Sequence, residues 1–173
     1  MGSFLFARHG ETEPNARGLR CGGDQDAPLT ARGIEQAAAL GAALEGRSVG
    51  VIVTGPLRRT VATADAVSRA LGGVAVHIEP LFVERRLGEW NGKTIAETEP
   101  LIAAGQTPPG GESEGEFRAR IDLALQALRP FMDRGPLVIS SKGVARVLGL
   151  RLGGVARPAG NAELLEFSLP EPP

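Results

Sequence analysis

The segment Ser3-Phe4-Leu5-Phe6-Ala7-Arg8-His9-Gly10-Glu11-Thr12 decides the fold. A short apolar run, Phe4 to Ala7, has the length of a β-strand and ends in a cation, an imidazole and a glycine. In a parallel sheet covered by helices, the carboxyl ends of the strands form the edge where ligands bind. The chain has only one other histidine, His77, so any chemistry that needs an imidazole uses one of these two positions.

Apolar runs of strand length alternate with segments of helical period along the chain. This pattern predicts an α/β fold of three layers, α/β/α, around a central, mostly parallel sheet. At 173 residues, the chain is expected to form a single domain over residues 1–173. The predicted strands are residues 4–7, 49–53, 74–78, 137–140 and 163–169, and the final residues 170–173 are expected to join no sheet.

Helices are predicted between most of these strands. Thr30 is a candidate N-cap, and a capping box at Ser113 and Glu116 precedes a long helix. The segment from Glu99 to Ser113 is so rich in proline and glycine that a loop over the site is expected. The apolar face predicted for the first long helix consists of Ile34, Ala37, Ala38 and Leu44. The face predicted for the second consists of Leu57, Val61, Ala64, Val67 and Leu71. A last, short helix is predicted over residues 144–150.

The composition favours a small partner. The chain carries 19 basic and 20 acidic side chains and a formal net charge of −1, so no basic face for nucleic acid or anionic lipid is indicated. No apolar run reaches membrane-spanning length, so no membrane association is expected. Cys21 is the only cysteine, which excludes an internal disulfide and fits a cytoplasmic protein.

Arg8 and Gly10 flank His9 in a way that suits a bound oxyanion. A guanidinium binds phosphate through two parallel hydrogen bonds, and a glycine lets the ligand approach the backbone. A metal site is disfavoured, because Arg8 would repel a divalent cation and no further ligands follow at short spacing. The alternative, for an isolated Arg-His pair, is a solvated strand end.

A second predicted strand ends in Thr54-Gly55-Pro56-Leu57-Arg58-Arg59-Thr60. A helix follows, so Arg58 or Arg59 lies in its first turn, where the helix dipole disfavours a cation unless an anion binds nearby. Two strand ends therefore predict the same ligand, an anion held by arginine. His77 lies inside an apolar run, where a packed or strand-edge histidine is expected.

These residues resemble the signatures of the histidine phosphatase superfamily, the phosphoglycerate mutase-like group, over nearly the whole chain. The R-H-G-E-T signature of that family matches residues 8–12, and Asn15 follows at the usual interval. The other similar segments are residues 26–37 (D-x-P-L-T-x-x-G-x-x-Q-A), 54–63 (T-S-P-L-x-R-A-x-x-T), 81–92 (L-x-E-x-x-x-G-x-W-x-G, with one more residue between Leu81 and Glu84) and 109–113 (P-G-G-E-S), the last followed by a helix with Arg120.

The resemblance implies a reaction on phosphate esters. His9 would attack phosphorus and carry the phosphoryl group as a phosphohistidine. Arg8, Arg59 and Asn15 would hold the equatorial oxygens of the transferring group. The partner would be a small phosphorylated substrate, and neither a metal nor another cofactor is implied.

Glu84 is the proton donor that the resemblance implies. It would protonate the leaving oxygen and then deprotonate the attacking water. Without the family pattern, the preferred interpretation of Glu84 is a solvated loop carboxylate that pairs with Arg85 or Arg86 at the surface.

One segment departs from the family pattern. The family ends a strand in S-H-G-G-V or S-H-K-G-V, whereas residues 140–144 read S-S-K-G-V, so Ser141 stands where a second histidine belongs. Serine is shorter and neutral, and losing one preorganised donor costs roughly 10²–10³ in rate. Lys142 could restore the positive charge. Alternatively, the chain has lost turnover and kept phospholigand binding, or the serine was introduced to trap a complex.

The favoured function is metal-independent hydrolysis of phosphomonoesters, impaired to some degree by Ser141. The alternative from another class is a catalytically weakened or inactive protein that binds a phospholigand or regulates through it. A phosphoglycerate mutase fits less well, because mutases of this family carry extra segments that exclude water from the phosphoenzyme.

Overall fold

A five-stranded sheet forms the centre of the computed structural model, which describes residues 2–170. Its strand order is β3-β2-β4-β1-β5, with β1 to β4 parallel and β5 antiparallel to β1. The mostly parallel sheet that the sequence predicts is therefore confirmed, while the tail at 171–173 lies outside the described residues. The strands are β1 Gly2–Arg8, β2 Val51–Thr54, β3 Val76–Ile78, β4 Pro136–Ser140 and β5 Leu164–Leu169.

Helices cover both faces of the sheet, because strand residues alternate between two apolar clusters. Ile52 and Ile139 pack with two helices, α2 (Ala31–Ala43) and α3 (Arg58–Ala70). Val53 and Val138 pack with α5 (Glu114–Leu128) and α6 (Lys142–Gly153) on the other face. No helix in the described range is both long enough and apolar enough to cross a membrane. The α-helices are α1 Glu13–Ala16, α2 Ala31–Ala43, α3 Arg58–Ala70, α4 Ile95–Ala103, α5 Glu114–Leu128 and α6 Lys142–Gly153.

The buried face of α2 differs from the predicted one. Thr30 is the N-cap, as expected, and its side chain accepts a hydrogen bond from the backbone N–H of Gly33. Ile34, however, is 60% exposed. The face that meets α3 consists of small residues with Leu40, because the two helices approach closely, and a pattern built on large apolar side chains misses it.

The predicted loop from Glu99 to Ser113 is partly wrong, because α4 runs through its first part to Ala103. Thr94 and Glu97 form a capping box that starts this helix, and Pro100 lies inside it. This short helix with a capped N-terminus thus tolerates Pro100 in its second turn, although the sequence pattern predicts that the proline breaks a helix. The remaining segment, 104–112, has no regular helix or strand.

The register of the sheet places the two key strand ends side by side. Arg8 of β1 pairs with Ser140 of β4, and the backbone N–H of His9 donates to the carbonyl oxygen of Ser140 at 2.9 Å. His77 lies on β3 at the edge of the sheet, with its ring centroid 4.9 Å from that of Phe131. His9 is therefore the histidine at the ligand-binding edge.

Candidate active site

His9 follows β1 and is 3% exposed. Its Nδ1 lies 2.7 Å from the carbonyl oxygen of Gly10, and because a carbonyl only accepts, Nδ1 carries the hydrogen and donates it. Burial, and then the charges of Arg59 and Arg8, lower the pKa of His9 well below its usual 6.5. The ring is therefore neutral at pH 7, and Nε2 has the free lone pair that a nucleophile needs.

Arg8 has a hydrogen-bond donor that the protein leaves unused. Its Nη1 donates to the carbonyl oxygen of Ala159 at 3.0 Å, but its buried Nε has no partner among residues 2–170. An unsatisfied buried donor costs about 1–3 kcal/mol. Burial also lowers the pKa of Arg8 from its ordinary value, because the charge is poorly solvated. An anion bound beside Arg8 would relieve both effects.

Arg59 lies in the first turn of α3 and is 1% exposed. Its terminal nitrogens donate to the backbone carbonyls of Gln25, at 2.8 Å, and Gly22, at 3.1 Å, which fixes the guanidinium beneath the loop 20–26. At the same helix end, the backbone N–H of Arg58 donates to the Asp26 carboxylate at 3.1 Å. The protein itself thus supplies part of the negative charge that the sequence predicts there.

Two asparagines lie next to His9. The Oδ1 atom of Asn15 accepts hydrogen bonds from the backbone N–H of Thr12, at 3.2 Å, and from Nδ2 of Asn161, at 3.3 Å. Nδ2 of Asn161 also donates to the carbonyl oxygen of His9 at 3.2 Å. Because the oxygen of the Asn15 amide is engaged by the protein, its NH₂ group remains for a ligand.

Glu84 docks on the N-terminal turn of α6. Its Oε2 accepts a hydrogen bond from the backbone N–H of Gly143 at 2.8 Å, and its Oε1 accepts one from the backbone N–H of Arg85 at 2.7 Å. A Cβ atom at position 143 would overlap the Glu84 carboxylate, so glycine makes this approach possible. The side chains of Arg85 and Arg86 pair with other carboxylates, so the surface pairing considered for Glu84 is not formed.

Ser141 and Lys142 face different spaces, although they are neighbours. Ser141 is 3% exposed, its side chain caps no N–H of α6, and it borders a void too small for water that Arg59 and Glu84 share. Lys142 is exposed and lines an open cavity at the carboxyl ends of the strands. No carboxylate pairs with Lys142 within the described part of the chain. The unpaired cation thus lies on the side from which a ligand enters.

An open cavity of about 410 Å³ adjoins these groups, at the carboxyl ends of the strands. The structure brings all the predicted site residues to this place, some in the cavity wall and some buried behind it. The wall residues are Arg8, Asn15, Glu84 and Lys142, and the buried ones are His9, Arg59 and Ser141.

Cys21 is a second potential nucleophile in the cavity wall. Burial raises the pKa of its thiol, and this outweighs the opposite effect of Arg59, whose Nη1 donates to Sγ at 3.7 Å. The thiol therefore stays protonated at pH 7, whereas His9 is already in its reactive form. Between residues 2 and 170, no three His, Cys, Asp or Glu side chains converge as metal ligands would.

Sequence reasoning missed two residues that shape the site. Asn161 precedes β5, and the antiparallel pairing of β5 with β1 returns the chain to His9, which no local pattern reveals. Gly143 carries a signal in the S-S-K-G-V segment, but its role depends on the contact with Glu84 that only the fold creates.

Comparison with known families gives one match that spans most of the chain. The sequence model of the histidine phosphatase superfamily (branch 1) matches residues 4–165. This range begins in β1 and ends in β5, so it reaches all five strands and includes every residue of the candidate site.

Individual relatives are phosphatases by name. The chain is 35% identical to glucosyl-3-phosphoglycerate phosphatase of Mycolicibacterium vanbaalenii over 134 residues, which is 72% of this chain but only 56% of that protein. It is 33% identical to adenosylcobalamin/alpha-ribazole phosphatase of Escherichia coli, over 88% of this chain and 79% of the relative. The solved structure of mycobacterial glucosyl-3-phosphoglycerate phosphatase with VO3 superposes with a TM-score of 0.82 at 27% identity, covering 97% of this chain and 91% of that one.

Proposed function

The chain belongs to the histidine phosphatase superfamily (branch 1), and we propose that it hydrolyses small phosphate monoesters through a phosphohistidine on His9. In the first step, Nε2 of His9 forms a bond to phosphorus while the bond from phosphorus to the alcohol oxygen breaks. Glu84, in its protonated form, gives its proton to that oxygen, and the alcohol leaves.

The second step restores the protein. A water molecule attacks phosphorus, Glu84 accepts one of its protons, and the bond between Nε2 and phosphorus breaks to release inorganic phosphate. Throughout, Nδ1 of His9 keeps its hydrogen and donates it to the carbonyl oxygen of Gly10, which stabilises the positive charge on the phosphorylated ring.

The tautomer and charge of His9 carry the proposal. A nucleophilic imidazole must be neutral and must present one bare nitrogen, and the contact with Gly10 together with burial meets both requirements. The unpaired Nε of Arg8, the residue before His9, is an independent reason to expect a bound anion here. Two of the relatives are phosphatases by name, which agrees with this chemistry.

Lys142 is proposed as the cation that replaces the missing second histidine. It lines the cavity with Arg8 and Asn15, and it lies at the N-terminus of α6, where a positive charge is unfavourable unless an anion is bound. A lysine ammonium has three donors on a flexible stem, so it can follow the phosphoryl oxygens as they move.

Ser141 favours a second candidate function. A neutral hydroxyl gives the phosphoryl group no cationic donor, while Arg8 and Arg59 alone could still form an anion site. The alternative is therefore a protein that binds a phosphorylated ligand with little or no turnover, and that regulates through this binding.

Hydrolysis of p-nitrophenyl phosphate separates the two candidates. The native protein, His9→Ala and Ser141→His are compared at equal concentration, with circular dichroism as the control for folding. Turnover by the native protein that His9→Ala abolishes supports the hydrolase. A native protein that is inactive while Ser141→His turns over contradicts it and supports the binding function.

A further inference from the structure

The cavity next to His9 has a large apolar part in addition to its polar one. Leu19 and Leu87 come from two loops, and Ile95 and Ile102 lie seven residues apart on α4, so they share a face of that helix. Ile95 is 40% exposed, although it is a large hydrophobic residue. The apolar lining consists of Leu19, Ile95, Ile102 and Pro158, with the buried side chains of Leu87 and Phe117 behind them.

The charged side chains beyond the phosphate-binding part of the cavity form ion pairs with one another. Arg20 pairs with Glu99 at 2.5 Å, and Arg146 pairs with Glu114 at 2.9 Å. Arg85 also reaches Glu114, at 3.3 Å. A sugar or polyol in this part would need a hydrogen-bond partner for each hydroxyl, and the charged side chains there already use part of their hydrogen-bonding capacity on one another.

We infer that the substrates are phosphate monoesters of apolar alcohols, with an aromatic or aliphatic group that packs on Ile95 and Ile102, rather than sugar phosphates. This inference rests on the proposed phosphatase function. A cavity of about 410 Å³ is near the lower end for small-molecule sites, so one or two rings and the phosphoryl group fit. Contact with the ligand would remove the exposed carbon of Ile95 from water.

Three phosphate esters of primary alcohols test the inference: 2-phenylethyl phosphate, glycerol 3-phosphate and glucose 6-phosphate. Their leaving groups are similar in basicity, so differences in kcat/KM report binding of the alcohol part. We expect the native protein to prefer 2-phenylethyl phosphate by about ten-fold or more. Equal rates, or a preference for either hydroxylated ester, would overturn the inference while leaving the phosphatase function intact.

Variants at the apolar wall make the test specific. Ile95→Asn and Ile102→Asn are expected to lower the ratio of kcat/KM for 2-phenylethyl phosphate to that for glycerol 3-phosphate by about ten-fold. The matched control is Ile34→Asn, an exposed isoleucine on α2 outside the cavity, which leaves the ratio unchanged. If the ratio does not change in Ile95→Asn and Ile102→Asn, the inference is contradicted. No turnover of any ester, p-nitrophenyl phosphate included, overturns the phosphatase function and the inference together.

Discussion

The carboxyl ends of β1 and β4 are adjacent in the sheet, yet only the first keeps the full family pattern. At the end of β1, His9 is buried, neutral and oriented by Gly10. At the end of β4, Ser141 stands where the resemblance places a histidine, and the next residue, Lys142, is a cation in the cavity wall. A nucleophile depends on one ring in one tautomer, whereas any cation within reach can stabilise charge. The proposed function therefore makes the end of β4 the part of the site that should tolerate change.

Removing the proposed nucleophile at the end of β1 is expected to have the largest effect. His9→Ala should lower kcat for p-nitrophenyl phosphate by at least about 10⁴-fold, since loss of a nucleophile removes the covalent route. His77→Ala is the matched control, because it changes the other histidine, at the far edge of the sheet. If His9→Ala retains a substantial fraction of the native kcat, His9 is not the nucleophile, and the proposed difference between the ends of β1 and β4 is wrong.

At the end of β4, Lys142→Met is expected to lower kcat by about 10²-fold, as loss of one preorganised donor does. Lys93→Met, at the other lysine of the chain, which is exposed, serves as the control. The sharper test is a double-mutant cycle with Ser141→His. If the histidine takes over the charge, Lys142→Met should cost much less in that background. Equal losses in both backgrounds would show that Lys142 does not replace the histidine.

Gly143→Ala is expected to displace Glu84 from the start of α6 without removing its carboxyl group. Loss of the aligned proton donor should lower kcat/KM by about ten-fold for 2-phenylethyl phosphate, whose alkoxide needs a proton to leave. The effect on p-nitrophenyl phosphate should be smaller, because p-nitrophenolate leaves readily. Gly153→Ala, in the same helix with free space around its Cβ, is the control. Equal losses for both esters would indicate a purely structural role.

The smallest expected effect concerns pH. The pKa of His9 in the folded protein lies well below 6.5, so the unfolded chain binds more protons between the two values. The free energy of unfolding should therefore fall as the pH drops below 6.5, and this contribution should level off once the pH is below the folded pKa. Urea denaturation at about pH 7.5 and about pH 5.5 should show a smaller decrease for His9→Gln than for the native protein. An equal decrease would mean that His9 is not held neutral by the fold.

The sequence predicts the sheet and the ends of its strands better than it predicts helix faces and loops. The end of a strand can be recognised from neighbouring residues alone, because the apolar run stops there and polar residues follow. Arg8 and His9 are found at such a point. The exposed Ile34 and the helix through Pro100 could not be predicted in this way, because close packing of small residues and a capping box outweighed the simple pattern. Asn161 reaches His9 only through the pairing of β5 with β1, which is a property of the topology.

Trapping the phosphoryl group tests the central claim, that His9 is the nucleophile, most directly. Glu84→Gln should still release p-nitrophenol, which needs no proton donor, but should hydrolyse the intermediate slowly. Mixing this variant with p-nitrophenyl phosphate, quenching in alkali and sequencing the peptides by mass spectrometry locates the phosphoryl group. We expect one equivalent of p-nitrophenol in a burst and the phosphoryl group on His9. A burst without modification of His9, or a phosphoryl group on another residue, would contradict the account.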